Sequence, residues 1–353
     1  MNLLITGGCG FIGSHLSLAA RRRGWATWAA DNFSRLGSRF NIERMQQAGV
    51  TIVDARVQHL PDFQELPPMD TIVIAAAEPS VLSGIANSPT QAIDTNLMGA
   101  ANGLELARRW NADVVFLSSS RVYSISQLRS LPRSDTPTRF EWSECGSVAG
   151  FSSQGIAEAF STKAPVSIYG ATKLAAETLI AEYRHTYGIR AVVNRCGLVS
   201  GPWQMGRSDQ GVIALWVASH LFGRDLGYTG FDGSGRQVRD VLHIDDLCEL
   251  LIEQVESPEN WDGCTLNVGG GYERAISLLE LTKLCEQVTH RKLAIGNRTE
   301  TSVVDIPIYI TDNRQVTSRS SWRPRKNVED TVVDLAAWLQ SVPEALKKIL
   351  QGR

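Results

Sequence analysis

The segment Thr6-Gly7-Gly8-Cys9-Gly10-Phe11-Ile12-Gly13 constrains this chain more than any other. It follows a short apolar run, Asn2 to Ile5, that reads as a strand, and it leads into a helical pattern from about Phe11 to Arg23. Gly7, Gly10 and Gly13 recur at a spacing of three. Glycines so placed allow a tight turn and close approach of backbone to a ligand. The helix that follows then offers unsatisfied N–H groups and the positive end of its dipole to an anion. A glycine pattern alone is weak. Here it stands in the first strand, first turn and first helix, where a dinucleotide pyrophosphate is held.

The sequence beyond repeats the same alternation. Strands are expected at Trp25 to Ala30, Thr51 to Asp54, Thr71 to Ala75, Asp113 to Leu117 and Ala191 to Arg195, with helices at about Thr95 to Trp110 and Tyr169 to Tyr187. Strands alternating with helices imply βαβ units. Runs such as Thr71 to Ala75, apolar on both faces, suit a parallel sheet covered by helices. The fold class predicted is α/β: a Rossmann-type doubly wound parallel sheet with a smaller mixed α/β lobe. The expected domains are 1–200, rejoined by 237–265, for the nucleotide, and 201–236 with 266–353 for the substrate. Ser124 to Pro165 is polar with little period and is expected to be a loop bordering the active site. Gly201 to Gly235 holds eight glycines and reads as a cap region.

Composition narrows the partners. At 353 residues the chain can build a large core. Its formal charge of −2 gives no electrostatic reason to expect nucleic acid or an anionic membrane. No apolar run approaches the ~20 residues needed to span a bilayer, and no signal-peptide pattern opens the sequence, so a cytoplasmic location is expected. The six cysteines form no CxxC pair and read as reduced, buried small hydrophobes, with no metal site.

Asp31 ends the second strand, eighteen positions after Gly13. An acid there accepts hydrogen bonds from a ribose and repels a 2′-phosphate, which favours NAD over NADP. Asp31 to Ser34 would also make a good turn, and Arg35 nearby is a residue type that accommodates a 2′-phosphate. Further on, Tyr169 and Lys173 stand four apart at the start of a helix, hence on one face. An ammonium beside a phenol is expected to lower the tyrosine pKa, so that Tyr169 serves as acid and base.

With the glycine motif and Tyr169/Lys173 together, the chain resembles the extended short-chain dehydrogenases/reductases, the family of nucleotide-sugar epimerases and dehydratases. The resemblance covers essentially the whole chain. It implies a catalytic hydroxyl three residues before Val122-Tyr123, which is Ser119, with Ser120 as alternative. It implies NAD contacts at Gly7, Gly10, Phe11, Ile12, Gly13, Asp31, Asn32, Ser34, Arg35, Asp54, Ala55, Ala75, Ala76, Ala77, Asn96, Tyr169 and Lys173, with Asn96 supporting Lys173 through water. Dehydratases of the family carry an acidic pair after the catalytic hydroxyl. Ser120 and Arg121 stand there, so a dehydratase is not expected.

A narrower likeness rests on Thr138 to Trp142, Asn194 to Gly206, Asp209-Gln210-Gly211 and Gly233 to His243. These segments are similar to those of CDP-paratose 2-epimerases. The likeness implies a nucleotide-sugar substrate bordered by Glu78, Ser120, Arg121 and Gln210. Arg239 is implied to contact the diphosphate, against the alternative of a local ion pair with Asp240. His243 is expected to be structural. Where the family often has an arginine before Asp305-Ile306-Pro307 this chain has Ser302, with Arg298 as a substitute. The implied activity is inversion of carbon 2 of a CDP-hexose by a homodimer or higher oligomer. The rivals are epimerisation at carbon 4, a net dehydrogenase or reductase, and a non-enzymatic NAD-binding sensor.

Overall fold

The computed structural model describes residues 1–85, 88–143, 147–205, 211–342 and 347. The chain forms two compact units.

The first unit comprises Met1–Val122, Ser167–Cys196 and Cys248–Leu266. Its strands are β1 (Asn2–Thr6), β2 (Ala26–Asp31), β3 (Thr51–Asp54), β4 (Thr71–Ile74), β5 (Asp113–Ser119), β6 (Ala191–Cys196) and β7 (Thr265–Val268), of which Thr265 and Leu266 fall within the unit's bounds. They form one parallel sheet in the order β7-β6-β5-β4-β1-β2-β3. The order reverses direction between β1 and β4, and ligands of such sheets bind at that switch point, outside the carboxyl ends of the strands. The register sets those ends side by side: Thr6 opposite Ile74, Asp31 opposite Asp54, Ser119 opposite Cys196. Four helices matter for the site: α1 (Phe11–Arg22), α2 (Leu36–Gln47), α3 (Gly99–Trp110) and α4 (Ser167–Tyr187). The core between sheet and helices is built on Leu4, Ile72, Leu104, Phe116, Ala176 and Ile180, each at most 2 % exposed. At ~25 cal/mol per Å² of apolar surface, burial of this kind is the main force closing the sheet.

The second unit comprises Tyr123–Val166, Gly197–Leu247 and Asn267–Arg353. Val238–His243 is its organising strand. It pairs in parallel with Leu198–Ser200 and Ile308–Tyr309 and antiparallel with Ala275–Ser277. Phe140, Val238, Ile308 and Ile310 form a core beside it.

The expected bounds had put 123–166, 197–200 and 237–247 with the nucleotide-binding domain; the compact units place all three in the second. The reason is pairing: Val238–His243 bonds to second-unit strands, and Phe140 N–H donates to the Arg236 carbonyl. The stretch 124–165 is also not simply loop. It holds a helix, Ile125–Ser130, and two hairpins, Arg133–Asp135 with Phe140–Trp142 and Phe151–Ser152 with Gly155–Ile156. Within the glycine-rich stretch lies a helix, Val212–Phe222, free of glycine and buried along most of its length. No helix among the described residues is long and apolar enough to cross a membrane.

Candidate functional site

The glycine turn is held from within. Gly10 N–H donates to the Gly7 carbonyl (3.0 Å) and Ser14 N–H to Gly10 (2.9 Å). Gly7 has φ +64°, and a Cβ there would lie 2.8 Å from the Ala76 Cα. A Cβ on Gly13 would lie 2.2 Å from the Gly7 carbonyl oxygen. These two glycines are therefore required by close backbone approach. Helix α1 begins with no side-chain cap and no acid in its first turn. The amides of Phe11, Ile12 and Gly13 have no intrahelical acceptor, so the turn fits an anionic pyrophosphate. Ala75 and Ala76 are fixed at the end of β4 by donating to the Thr6 hydroxyl (3.2 and 3.3 Å).

Asp31 is buried at the end of β2 and serves the turn. Its two carboxylate oxygens accept from Phe33 N–H (2.9 Å) and Cys9 N–H (3.2 Å). Burial raises its pKa, and these two bonds and the charge of Arg35 oppose the rise. Asn32 caps the N–H of Ser34 (3.1 Å), and both residues are exposed. Asp54 lies beside Asp31 in register, and Ala55 N–H donates to the Asp31 carbonyl (3.1 Å). Helix α2 was not expected, because its sequence is polar with only a weak apolar stripe. It braces the turn: Asn41 donates to the Cys9 carbonyl (2.8 Å), and Arg44 donates to the Ser14 hydroxyl (2.7 Å) and to Asn41 (2.9 Å). Burial lowers the Arg44 pKa to about 10.

Two residues of the expected site, Glu78 and Asn96, have partners that the sequence did not show. Glu78, assigned to the sugar, forms an ion pair with Arg35 (2.9 Å). Asn96, expected to reach Lys173 through water, binds Glu78 and Thr172. Its side-chain oxygen accepts from Glu78 N–H (2.7 Å), and its amide donates to the Glu78 carbonyl (3.1 Å) and the Thr172 hydroxyl (3.1 Å). Asn96 lies in a π-helical segment, Ile93–Met98, just before α3. Such bulges re-aim a side chain and are frequent at functional sites.

Helix α4 turns one polar stripe toward the end of β5. Tyr169, Lys173 and Glu177, at i, i+4 and i+8, meet Ser119, Leu117 and Ser118 in turn. Tyr169 faces the Ser119 hydroxyl, which accepts from Arg121 N–H (3.2 Å). Lys173, 2 % exposed, donates to the Leu117 carbonyl (2.7 Å) and lies 4.8 Å from the Phe116 ring centroid. Ser118 donates to Glu177, whose carboxylate is gripped by the Arg195 guanidinium (2.7 to 3.2 Å). Ser120 begins a 3-10 turn, Ser120–Val122, one residue beyond the serine that faces the tyrosine.

The expected lowering of the Tyr169 pKa is not found. Burial pushes it up, and the groups opposing that rise are the Ser119 hydroxyl and the charge of Arg121. The Lys173 ammonium, aimed at the Leu117 carbonyl, is itself pushed down to about 8 by burial. Desolvation disfavours the charged form of both groups, which moves a phenol up and an amine down.

In the second unit, Arg239 is committed locally, though not to Asp240. Its guanidinium donates to Asp305 (3.1 Å) and to the carbonyls of Ile306 (2.7 Å) and Val238 (2.7 Å). Asp240 is buried and accepts from Gly271 N–H (2.9 Å). Near Ser302 it is Arg129, unnoticed in the sequence, that binds: it donates to the carbonyls of Ser302 (2.6 Å) and Asp305 (2.7 Å). Its position in the polar stretch after β5 gave no signal. His243 is buried and accepts from Asp245 N–H (3.1 Å). Arg139, from the narrower motif, forms a bidentate pair with Glu280. Gln210 lies outside the described residues.

The model of the NAD dependent epimerase/dehydratase family matches residues 3–269. The chain belongs to that family. Its cofactor is NAD, and it is an NAD-dependent nucleotide-sugar epimerase of the extended short-chain dehydrogenase/reductase type. Among curated relatives, the CDP-paratose 2-epimerase of Salmonella typhi is 28% identical over 351 residues, covering 97% of this chain and 100% of that protein. UDP-glucuronate 4-epimerase 6 of Arabidopsis thaliana is also 28% identical, over 293 residues covering 80% of this chain and 56% of that protein. In fold, this family member is similar to the UDP-glucuronic acid 4-epimerase of Bacillus cereus solved with UDP-glucuronic acid and NAD. The TM-score is 0.78 at 21% identity, covering 96% of this chain and 99% of that one. The UDP-glucose 4-epimerase of Thermotoga maritima gives a TM-score of 0.78 at 22% identity over the same shares.

Proposed function

We propose that this epimerase inverts carbon 2 of a CDP-hexose such as CDP-paratose, through a 2-keto sugar. The observation that carries the chemistry is the buried Tyr169 phenol facing the Ser119 hydroxyl, on the same helix face as Lys173. The likeness over the full length of the CDP-paratose 2-epimerase supports the carbon and the nucleotide.

NAD, when bound, supplies a hydride acceptor that becomes the donor for the return step. The protein does the rest. Tyr169, as phenolate, removes the proton from the sugar hydroxyl and later restores it. The Ser119 hydroxyl holds the reacting oxygen, and its bond from Arg121 N–H fixes where it points. Lys173 is held by the Leu117 carbonyl with its charge beside the reaction. The α1 N-terminus takes the pyrophosphate, and Asp31 the ribose hydroxyls. Arg239 takes the substrate diphosphate by exchanging Asp305 for it. The working unit is a homodimer or higher oligomer.

A second reading, inversion at carbon 4, is favoured by the likeness to the UDP-glucuronate 4-epimerases. Purified protein is incubated with CDP- and UDP-hexoses without added NAD, and the sugars are followed by NMR. Inversion at carbon 2 of the CDP-sugar is expected. Inversion at carbon 4 of a UDP-sugar supports the second reading instead.

The pKa shifts predict an unusual pH profile. The working form has Tyr169 ionised and Lys173 protonated, yet Lys173 titrates at about 8 and Tyr169 above its usual 10.0. Below about 8 both sites are protonated, and each pH unit raises the working fraction about tenfold. Above it one proton is divided between two sites, so the fraction stops changing. The kcat/KM should climb to about pH 8 and then level, and Lys173→Met should remove that break. A profile already flat between about pH 6 and 8 contradicts these roles.

A further inference from the structure

We propose that Glu78 sets the cofactor preference of this chain: it holds the Arg35 guanidinium in an ion pair and so denies it to the 2′-phosphate that distinguishes NADP from NAD. The proposal concerns residues of the NAD site and rests on NAD being the cofactor.

Arg35 stands four residues after Asp31, at the N-cap of α2, with an extended backbone. In sequence it is the kind of residue that accepts a 2′-phosphate, because a guanidinium fork matches phosphate oxygens. In the structure it is turned to Glu78 at 2.9 Å. The pair joins the chain after β2 to the chain after β4, and β1 with its glycine turn lies between those two strands.

Glu78 is the fixed member of the pair. Its backbone N–H and carbonyl are both bound by the Asn96 amide, at 2.7 and 3.1 Å. Asn96 is 1 % exposed and donates in turn to Thr172 of α4. The Glu78 carboxylate also accepts from Ser80 N–H (3.4 Å). The two side chains are 35 % and 20 % exposed, Arg35 being the more accessible. The Arg35 guanidinium is thus paired with an anchored carboxylate. A dianionic 2′-phosphate would meet the carboxylates of Asp31 and Glu78, and an arginine whose charge is already matched. Selectivity for NAD thus has two parts, repulsion by Asp31 and masking of Arg35 by Glu78.

The test is a direct measurement of binding. Wild type, Glu78→Gln, Arg35→Gln and the double variant are freed of resident nucleotide on charcoal. Each is then equilibrated with equal concentrations of NAD and NADP. Bound nucleotides are separated by gel filtration, released by acid and quantified. Glutamine keeps the length of Glu78 and its backbone bonds to Asn96 while removing the charge. Glu78→Gln should raise the bound NADP:NAD ratio at least about tenfold, since a guanidinium released from a carboxylate regains its phosphate-binding fork. Arg35→Gln should leave the ratio near that of wild type, and the double variant should lose the gain. An unchanged ratio in Glu78→Gln overturns the proposal. So does a gain that survives in the double variant, which would assign the effect to carboxylate repulsion alone. Wild type that retains neither nucleotide would overturn the assignment of NAD itself, a distinct failure.

Discussion

Tyr169→Phe is expected to lower kcat by about 10²- to 10⁴-fold, the usual contribution of a positioned acid–base group. The substitution removes one oxygen from a ring that is 8 % exposed, so packing in α4 is preserved. What is lost is the hydroxyl that faces Ser119. Nothing else on that helix face replaces it. Lys173 points to the Leu117 carbonyl, and Glu177 is held by Ser118 and Arg195. Nucleotide content and circular dichroism should match wild type. The measurement is kcat on the substrate that wild type turns over. A variant within about fivefold of wild type would remove Tyr169 from the acid–base role. Unaltered cellular function of the variant would instead favour the sensor alternative.

The second large effect is on stability. Glu177→Ala should destabilise the protein by about 3–5 kcal/mol, the cost of leaving one member of a buried ion pair unpaired. Arg195 and Glu177 are only 10% and 8% exposed in their side chains, so solvent screens them little. Removing the carboxylate takes the paired charge from the Arg195 guanidinium in β6 and the acceptor from the Ser118 hydroxyl. Glu177→Gln keeps an acceptor but not the charge and should cost less. Urea denaturation followed by fluorescence measures both, as a fall in midpoint at unchanged slope. A midpoint for Glu177→Ala equal to wild type would mean that the pair contributes nothing to folding. Because Lys173 lies one turn earlier on the same face, the pair also orders the helix that carries the chemistry.

The parts of this site legible in the sequence are those fixed by local geometry. The glycine turn was readable because Gly7 and Gly13 answer to backbone contacts within one βαβ unit. Tyr169 and Lys173 were readable because four residues make one helical turn. What the sequence hid depends on residues distant along the chain. The partner of Glu78 is 43 positions away, and that of Ser118 is 59 away. No periodicity reports such pairs. Helix α2 was hidden for another reason: its polar sequence carries little amphipathic signal, its apolar contact with the core is made by Met45 and Ile42, and Asn41 and Arg44 add hydrogen bonds to the turn. The helix at Val212–Phe222 was hidden by the glycines around it, although its own eleven residues contain none. The direction of the Tyr169 pKa was misread because spacing places Lys173 on the same face and says nothing of where its ammonium points. Burial of both groups and the Leu117 carbonyl decide that.

The central claim is that one and the same hydrogen leaves and returns to the sugar with NAD held in place. Its most direct test is a CDP-hexose carrying deuterium at carbon 2, incubated with purified protein in ordinary water without added cofactor. Mass spectrometry and NMR of the epimerised product should find the deuterium retained at the inverted carbon. Loss of the label to solvent, or no turnover until NAD is supplied in amounts equal to the substrate, would contradict it.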